Sequence, residues 1–135
     1  MNTLLTVLAF VLIGLLVYRF WKPMIQPPKR EVKPNEATLY FFFTNWCGFS
    51  QKAMPEWSKL EEKLKRESYF GKTHVNAVSV DCESDRARCT LYDVQGYPTV
   101  ILETKSGLTE FGQRVTYSNL MSFLRQSLGQ ERENL

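Results

Sequence analysis

The sequence predicts an α/β domain, a mixed central sheet with helices on both faces, carried behind a single membrane-spanning helix. Three observations lead there. Residues 39–44, Leu-Tyr-Phe-Phe-Phe-Thr, are an almost wholly apolar run of strand formers, the pattern of a central strand covered on both faces. From that run onward the hydrophobic spacing alternates between that of strands and that of helices, giving strand, helix, strand, helix, strand, strand, helix. Residues 1–18 carry no charged side chain.

The elements follow in order. Residues 4–17 are almost entirely Leu, Val, Ile, Phe and Ala. As a helix, about 18 residues span roughly 27 Å, close to the hydrocarbon thickness of a bilayer. Arg19 and Lys22, with Tyr18, Phe20 and Trp21 among them, form the aromatic and cationic edge of an interface. A cleaved signal peptide needs a positive charge before the apolar run and small residues at a cleavage site, and neither is present. A retained anchor is therefore expected over residues 1–21. Residues 22–36 hold Pro23, Pro27, Pro28 and Pro34 among charges and read as an extended spacer.

The domain is expected over residues 37–128. After its first strand, a helix over 50–67 places Ala53, Trp57, Leu60 and Leu64 on one face, with Pro55 inside it as a kink. A buried strand over 75–81 and a short helix over 85–92 come next. Strands over 100–102 and 108–111 flank a turn at Lys105-Ser106-Gly107. A helix over 117–128 closes the domain with Leu120, Phe123, Leu124 and Leu128 inward, and residues 129–135 are a fraying tail. A first strand paired to a later one across a helix is parallel to it, and the last two strands form a hairpin.

The net charge of +3 is unevenly placed. Arg19, Lys22, Lys29, Arg30 and Lys33, less Glu31, put +4 beside the apolar run and leave −1 for the remainder. The domain has no basic footprint, which argues against nucleic-acid binding. The basic cluster suits anionic headgroups, and the charge asymmetry puts it, and the domain behind it, on the cytosolic side.

Chemistry concentrates in Asn45-Trp46-Cys47-Gly48-Phe49-Ser50, between the first strand and the first helix of the domain. A cysteine at a helix start meets unpaired backbone N–H groups and the positive end of the helix dipole, and both favour the nucleophilic thiolate. An inert buried thiol is the usual fate of a free cysteine, but this junction argues against it. Gly48 lets the chain turn tightly and keeps the sulfur uncovered, Trp46 offers an apolar surface beside it, and Ser50 lies one turn on with a hydroxyl to donate.

The segment from Trp46-Cys47-Gly48-Phe49-Ser50 to Pro55-Glu56-Trp57 resembles the active site of thioredoxins and protein disulfide isomerases. Val80-Asp81-Cys82 followed by Gln95-Gly96-Tyr97-Pro98-Thr99 resembles their second signature. The likeness covers residues 37–128 and implies a thioredoxin fold. It also implies a cis Pro98 facing Cys47, and a Tyr97 backbone that, with Phe49 nearby, receives an extended substrate chain. The first strand and helix of full thioredoxins are missing from the pattern, their place taken by the proline spacer.

The departures from the family are informative. Its Cys-x-x-Cys ends here in Ser50, so Cys47 forms mixed disulfides and no internal one. Six residues before the nucleophile the family has a buried Asp or Glu that takes the proton of the second cysteine; here it is Phe41. Isomerases have a thiolate-stabilising His where this chain has Phe49. The implied activity is monothiol exchange with protein thiols and disulfides, of isomerase or reductase type, without a cofactor. Retention of client proteins as mixed disulfides, as in isomerase relatives with Cys-x-Phe-Ser sites, is the alternative.

Cys47-Gly48-Phe49-Ser50 also matches the monothiol glutaredoxins, which bind glutathione and an iron–sulfur cluster. Their Thr-Val-Pro and Gly-Gly-x-Asp glutathione motifs have no counterpart here. Glutathione stays open as a partner. Cys82 and Cys89 correspond to a pair that some isomerase domains join as a structural disulfide, and two reduced thiols are the equal alternative. No Cys-x-x-Cys pair starts a zinc site, no metal is expected, and His74 reads as a surface histidine. A disulfide would suit an oxidising lumen, against the charge asymmetry. Membrane-bound thioredoxin-like proteins of large DNA viruses are similar, so an endomembrane or a virion membrane is open too.

Overall fold

The computed structural model describes residues 2–21 and 31–129. The prolines Pro23, Pro27 and Pro28 of the expected spacer and residues 130–135 of the tail lie outside the described residues. The chain divides into two compact units, Met1–Arg30 and Glu31–Leu135.

In the first unit, helix α1 runs over Asn2–Trp21. From Leu4 to Val17 its Leu, Val, Ile and Phe side chains are exposed, Phe10 at 75% and Leu4 at 73%. Soluble monomers rarely expose a contiguous apolar patch of this size. Over Asn2–Arg19 the helix is long and apolar enough to cross a membrane, a property that spans share with signal sequences.

In the second unit, β1 (Glu36–Phe43), α2 (Gly48–Arg66), β2 (Tyr69–Phe70), β3 (Thr73–Asp81), α3 (Arg86–Leu91), β4 (Thr99–Thr104), β5 (Gly107–Glu110) and α4 (Tyr117–Leu128) follow in order. The sheet order is β2-β3-β1-β4-β5. β1 is parallel to β3, with Leu39 opposite Ala77, and antiparallel to β4, with Leu39 opposite Leu102. β4 and β5 form the expected hairpin. The aromatic run therefore becomes the central strand, and alternation sends its side chains to opposite faces. Leu39 and Phe41 join Trp57, Leu60, Leu120 and Leu124 in the core under α2 and α4. Tyr40 and Phe42 join Val80, Cys82, Cys89 and Ile101 on the α3 face.

The expected helical face of Ala53, Trp57, Leu60 and Leu64 is buried, and α2 continues through Pro55. On α4, Met121 is buried beside Leu120 and Leu124, while Phe123 and Leu128 pack from the margin. The sequence reading omits β2. Two residues are too short to show a period, but they pair with Thr73 and His74 across a turn. Gly71 makes that turn at φ 58°, where an added Cβ would meet the Leu128 carbonyl at 3.0 Å.

Candidate functional site

Cys47 is the N-cap of α2, with φ −80° and ψ 117°. The buried β1 ends just before it, so the first turn of α2 presents its N–H groups where the sheet stops. Cys47 N–H donates to the Thr44 carbonyl at 3.4 Å, and Gln51 N–H closes the first helical bond on the Cys47 carbonyl at 3.0 Å. The Cys47 side chain makes no capping bond. Its half-buried Sγ instead donates to the Tyr97 carbonyl at 3.5 Å. The Tyr97–Pro98 peptide is cis, so Tyr97 and Pro98 stand against the thiol, as the family likeness implies.

The Cys47 thiol is held below its ordinary value. Chiefly the Ser50 N–H stabilises the thiolate; desolvation opposes this, and the Phe49 N–H and the Ser50 hydroxyl add to it. Ser50 is buried and its Oγ has no hydrogen-bond partner among the described residues. The hydroxyl is thus unengaged beside the protonated thiol, and its contribution arises once the sulfur carries charge. Gly48 departs from the sequence expectation of a tight turn. Its φ is not in the left-handed region, and a Cβ there would meet nothing within 4 Å. What it supplies is an absent side chain beside the sulfur.

Exposed aromatic residues flank Cys47 in the chain. Trp46 is 68% exposed and meets Tyr97 edge to face at 6.1 Å, while Phe49 is 74% exposed. Phe41, at the position where the family has a carboxyl, is fully buried and stacked on Trp57 at 4.9 Å. Trp57 Nε1 donates to Ser79 Oγ at 2.8 Å, and Ser79 donates to Glu61 at 2.8 Å. A groove of about 290 Å³ between α2 and β3, lined by Leu64, His74 and Ala77, does not include Cys47. The Cys47 sulfur lies against the Tyr97 carbonyl, with Trp46 and Phe49 exposed on either side of Gly48 and Cys47 in the chain.

Cys82 and Cys89, which spacing leaves undecided, are joined by a disulfide with Cα atoms 5.8 Å apart. Both are buried, Cys82 just after β3 and Cys89 on α3. Among the described residues no three of His, Cys, Asp and Glu are placed to hold a metal ion. His74 lies edge-on to Tyr69 at 5.2 Å, away from these sulfurs in the sheet register.

Asn45 was not singled out by sequence reasoning. Its Nδ2 donates to Asp81 Oδ2 at 3.2 Å, its backbone N–H to Glu83 Oε2 at 3.3 Å, and its carbonyl accepts from Gln51 Nε2 at 2.7 Å. Glu83 N–H in turn donates to Asp81 Oδ1 at 2.9 Å. An Asx residue near a helix start is a local capping signal, but nothing local points to partners 36 and 38 residues away.

The family model for thioredoxin matches residues 28–126. A mitochondrial thioredoxin domain-containing protein of Schizosaccharomyces pombe is 30% identical over 106 residues, 74% of this chain and 28% of that protein. Protein disulfide isomerase-like 2-1 of Oryza sativa subsp. japonica is 35% identical over 72 residues, 53% of this chain and 18% of its own length. The chain thus spans less than a third of these relatives. The first thioredoxin domain of mouse protein disulfide-isomerase A4 shares the fold with a TM-score of 0.58 and 22% identity, over 73% of this chain and 67% of that one.

Proposed function

The chain belongs to the thioredoxin family, and from that premise we propose that it is a membrane-anchored monothiol exchanger that acts on protein disulfides through Cys47. The observation that carries this reading is the placement of Cys47. A free cysteine occupies the N-cap position of a helix, its thiol is pushed toward thiolate by the Ser50 and Phe49 N–H groups, and that thiol meets the carbonyl before a cis proline.

The Cys47 thiolate attacks one sulfur of a substrate disulfide along the line of the breaking S–S bond. A Cys47–substrate disulfide forms, and the other substrate sulfur leaves as a thiolate that takes a proton from water. Ser50 offers no second sulfur, so release waits for an outside thiol. If that thiol is another cysteine of the substrate, the pairing is rearranged with no net redox change. If it is glutathione, its thiolate attacks the Cys47 sulfur and the substrate leaves with both sulfurs as thiols; a second glutathione then attacks the Cys47–glutathione disulfide, releasing oxidised glutathione and the Cys47 thiolate. Trp46, Phe49 and Tyr97 hold an extended apolar segment, and Gly48 leaves the approach to the sulfur open.

A mixed disulfide that outlives its encounter makes the same site a client-retention module. The missing second thiol favours this second reading. Trapping with the wild type and Cys47→Ser, followed by non-reducing gels and then addition of glutathione, tests both. Adducts are expected with the wild type and none with Cys47→Ser. Release and turnover by glutathione indicate exchange, whereas adducts stable to it indicate retention. A wild type that forms no adducts overturns both readings.

A further inference from the structure

Resting on the reading of Cys47 as the reacting thiol, we infer that Asn45 is a positioning residue that holds the thiol loop in the geometry where the α2 N–H groups meet the sulfur. Its backbone and side chain together tie three places. Asp81 ends β3, Glu83 follows it, and Gln51 lies in the first turn of α2. The Asp81 carboxylate only accepts, which fixes the Asn45 amide with its nitrogen toward Asp81.

Apart from the bonds of Asn45, the backbone of residues 44–47 is held by the long bond from Cys47 N–H to the Thr44 carbonyl and by the first helical bond, from Gln51 N–H to the Cys47 carbonyl. The Ser50 and Phe49 N–H groups favour the thiolate only while the cap geometry at Cys47 persists. The bonds of Asn45 to Asp81 and Glu83 have carboxylate acceptors, which makes them stronger than neutral ones although the residue is exposed. Titratable groups bordering the loop are Asp81 at the end of β3, Glu83 just after it, Lys52 on the exposed side of α2, and Tyr97 before the cis bond. Asn45 adds no charge to them, so its effect runs through position.

The test is the pH profile of Cys47 alkylation by iodoacetamide, with the full chain in detergent micelles and the modified site identified by mass spectrometry. Asn45→Ala, which removes the side-chain bond to Asp81 and leaves the backbone bonds to Glu83 and Gln51, is expected to move the profile part of the way toward an ordinary thiol, slowing reaction at neutral pH by about threefold and leaving the high-pH plateau unchanged. Asn45→Asp, which sets two carboxylates against each other, is expected to slow it further. Adding Asp81→Asn restores the hydrogen bond in reverse at unchanged net charge, and should bring the rate back to within about twofold of the wild type.

A profile of Asn45→Ala that superimposes on a shifted wild-type profile overturns the positioning role alone. So does an exchanged pair that stays as slow as Asn45→Asp, a comparison that holds even if Asn45→Ala fails to fold. A wild-type profile at the ordinary thiol value overturns this role together with the proposed function.

Discussion

At Cys47 the thiolate is stabilised by N–H groups that the protonated sulfur cannot use, so pH acts on this residue with a definite sign. Its alkylation should rise through a midpoint below that of free cysteine, and fall about tenfold per pH unit beneath it. The associated stabilisation of the fold is complete above the ordinary thiol range and is lost as pH falls through the lowered value. Ser50→Cys should form a disulfide with Cys47, because a helix start brings these positions within bridging reach, and should give turnover on a model disulfide. Phe41→Asp on that background adds a base for the second thiol, an effect of up to about a hundredfold. It costs about 3 kcal/mol or more for a buried carboxyl without a partner. Equal turnover of the single and double variants at neutral pH would show the missing carboxyl to be irrelevant. The thiol at its helix start and the cis proline were legible because one local junction and one family pattern contain them, whereas the turn expected at Gly48 was not found. Asn45 was not legible, because its role exists only once β3 ends beside the loop.

At the level of elements, legibility followed length and continuity. β1 could be placed because an aromatic run can be hidden only in the middle of a sheet, and β3 and α4 because each has a clear apolar pattern. β2 escaped because two residues have no pattern, and Met121 escaped because a face that alternates Leu and Phe left no need of it. The Cys82–Cys89 pairing stayed open because spacing does not reveal oxidation state. The structure puts this bridge between the end of β3 and α3, closing the loop that also carries Glu83. Replacing both cysteines by alanine should therefore destabilise the domain by about 2.5 kcal/mol through loop-closure entropy. Urea unfolding of the double variant, compared with the oxidised wild type, measures this. An unchanged midpoint would mean that α3 packing alone fixes the loop. Glu56 joins two other elements: it accepts from the Tyr117 N–H at 2.9 Å and pairs with Lys59 at 2.6 Å. Lys59 chiefly, then that N–H, holds its carboxyl below the usual range, so the link between α2 and α4 loosens as pH falls through that lowered value.

For the molecule as a whole, the decisive feature is the contrast between its two units. One is a thioredoxin domain whose apolar side chains are gathered in two cores; the other is a helix that exposes them along its length. An exposed surface of Leu, Val, Ile and Phe on a helix as long as a bilayer is thick has its low-energy state in lipid. Tethering would confine Cys47 to substrates near the membrane surface, raising their effective concentration. Expressed with microsomes, the full chain should stay in the membrane pellet after alkaline carbonate extraction at its full mass, and a chain lacking residues 1–21 should move to the supernatant. A product shortened by about 20 residues and soluble in carbonate would identify α1 as a cleaved signal, and the anchoring proposal would fail. Protease added to the sealed vesicles then reads the side. The basic residues after α1 favour the cytosol, so the domain should be digested without detergent. A protected domain would place Cys47 in an oxidising lumen, where the Cys82–Cys89 bridge persists unaided, and would show that residues 19–33 do not govern orientation in this chain.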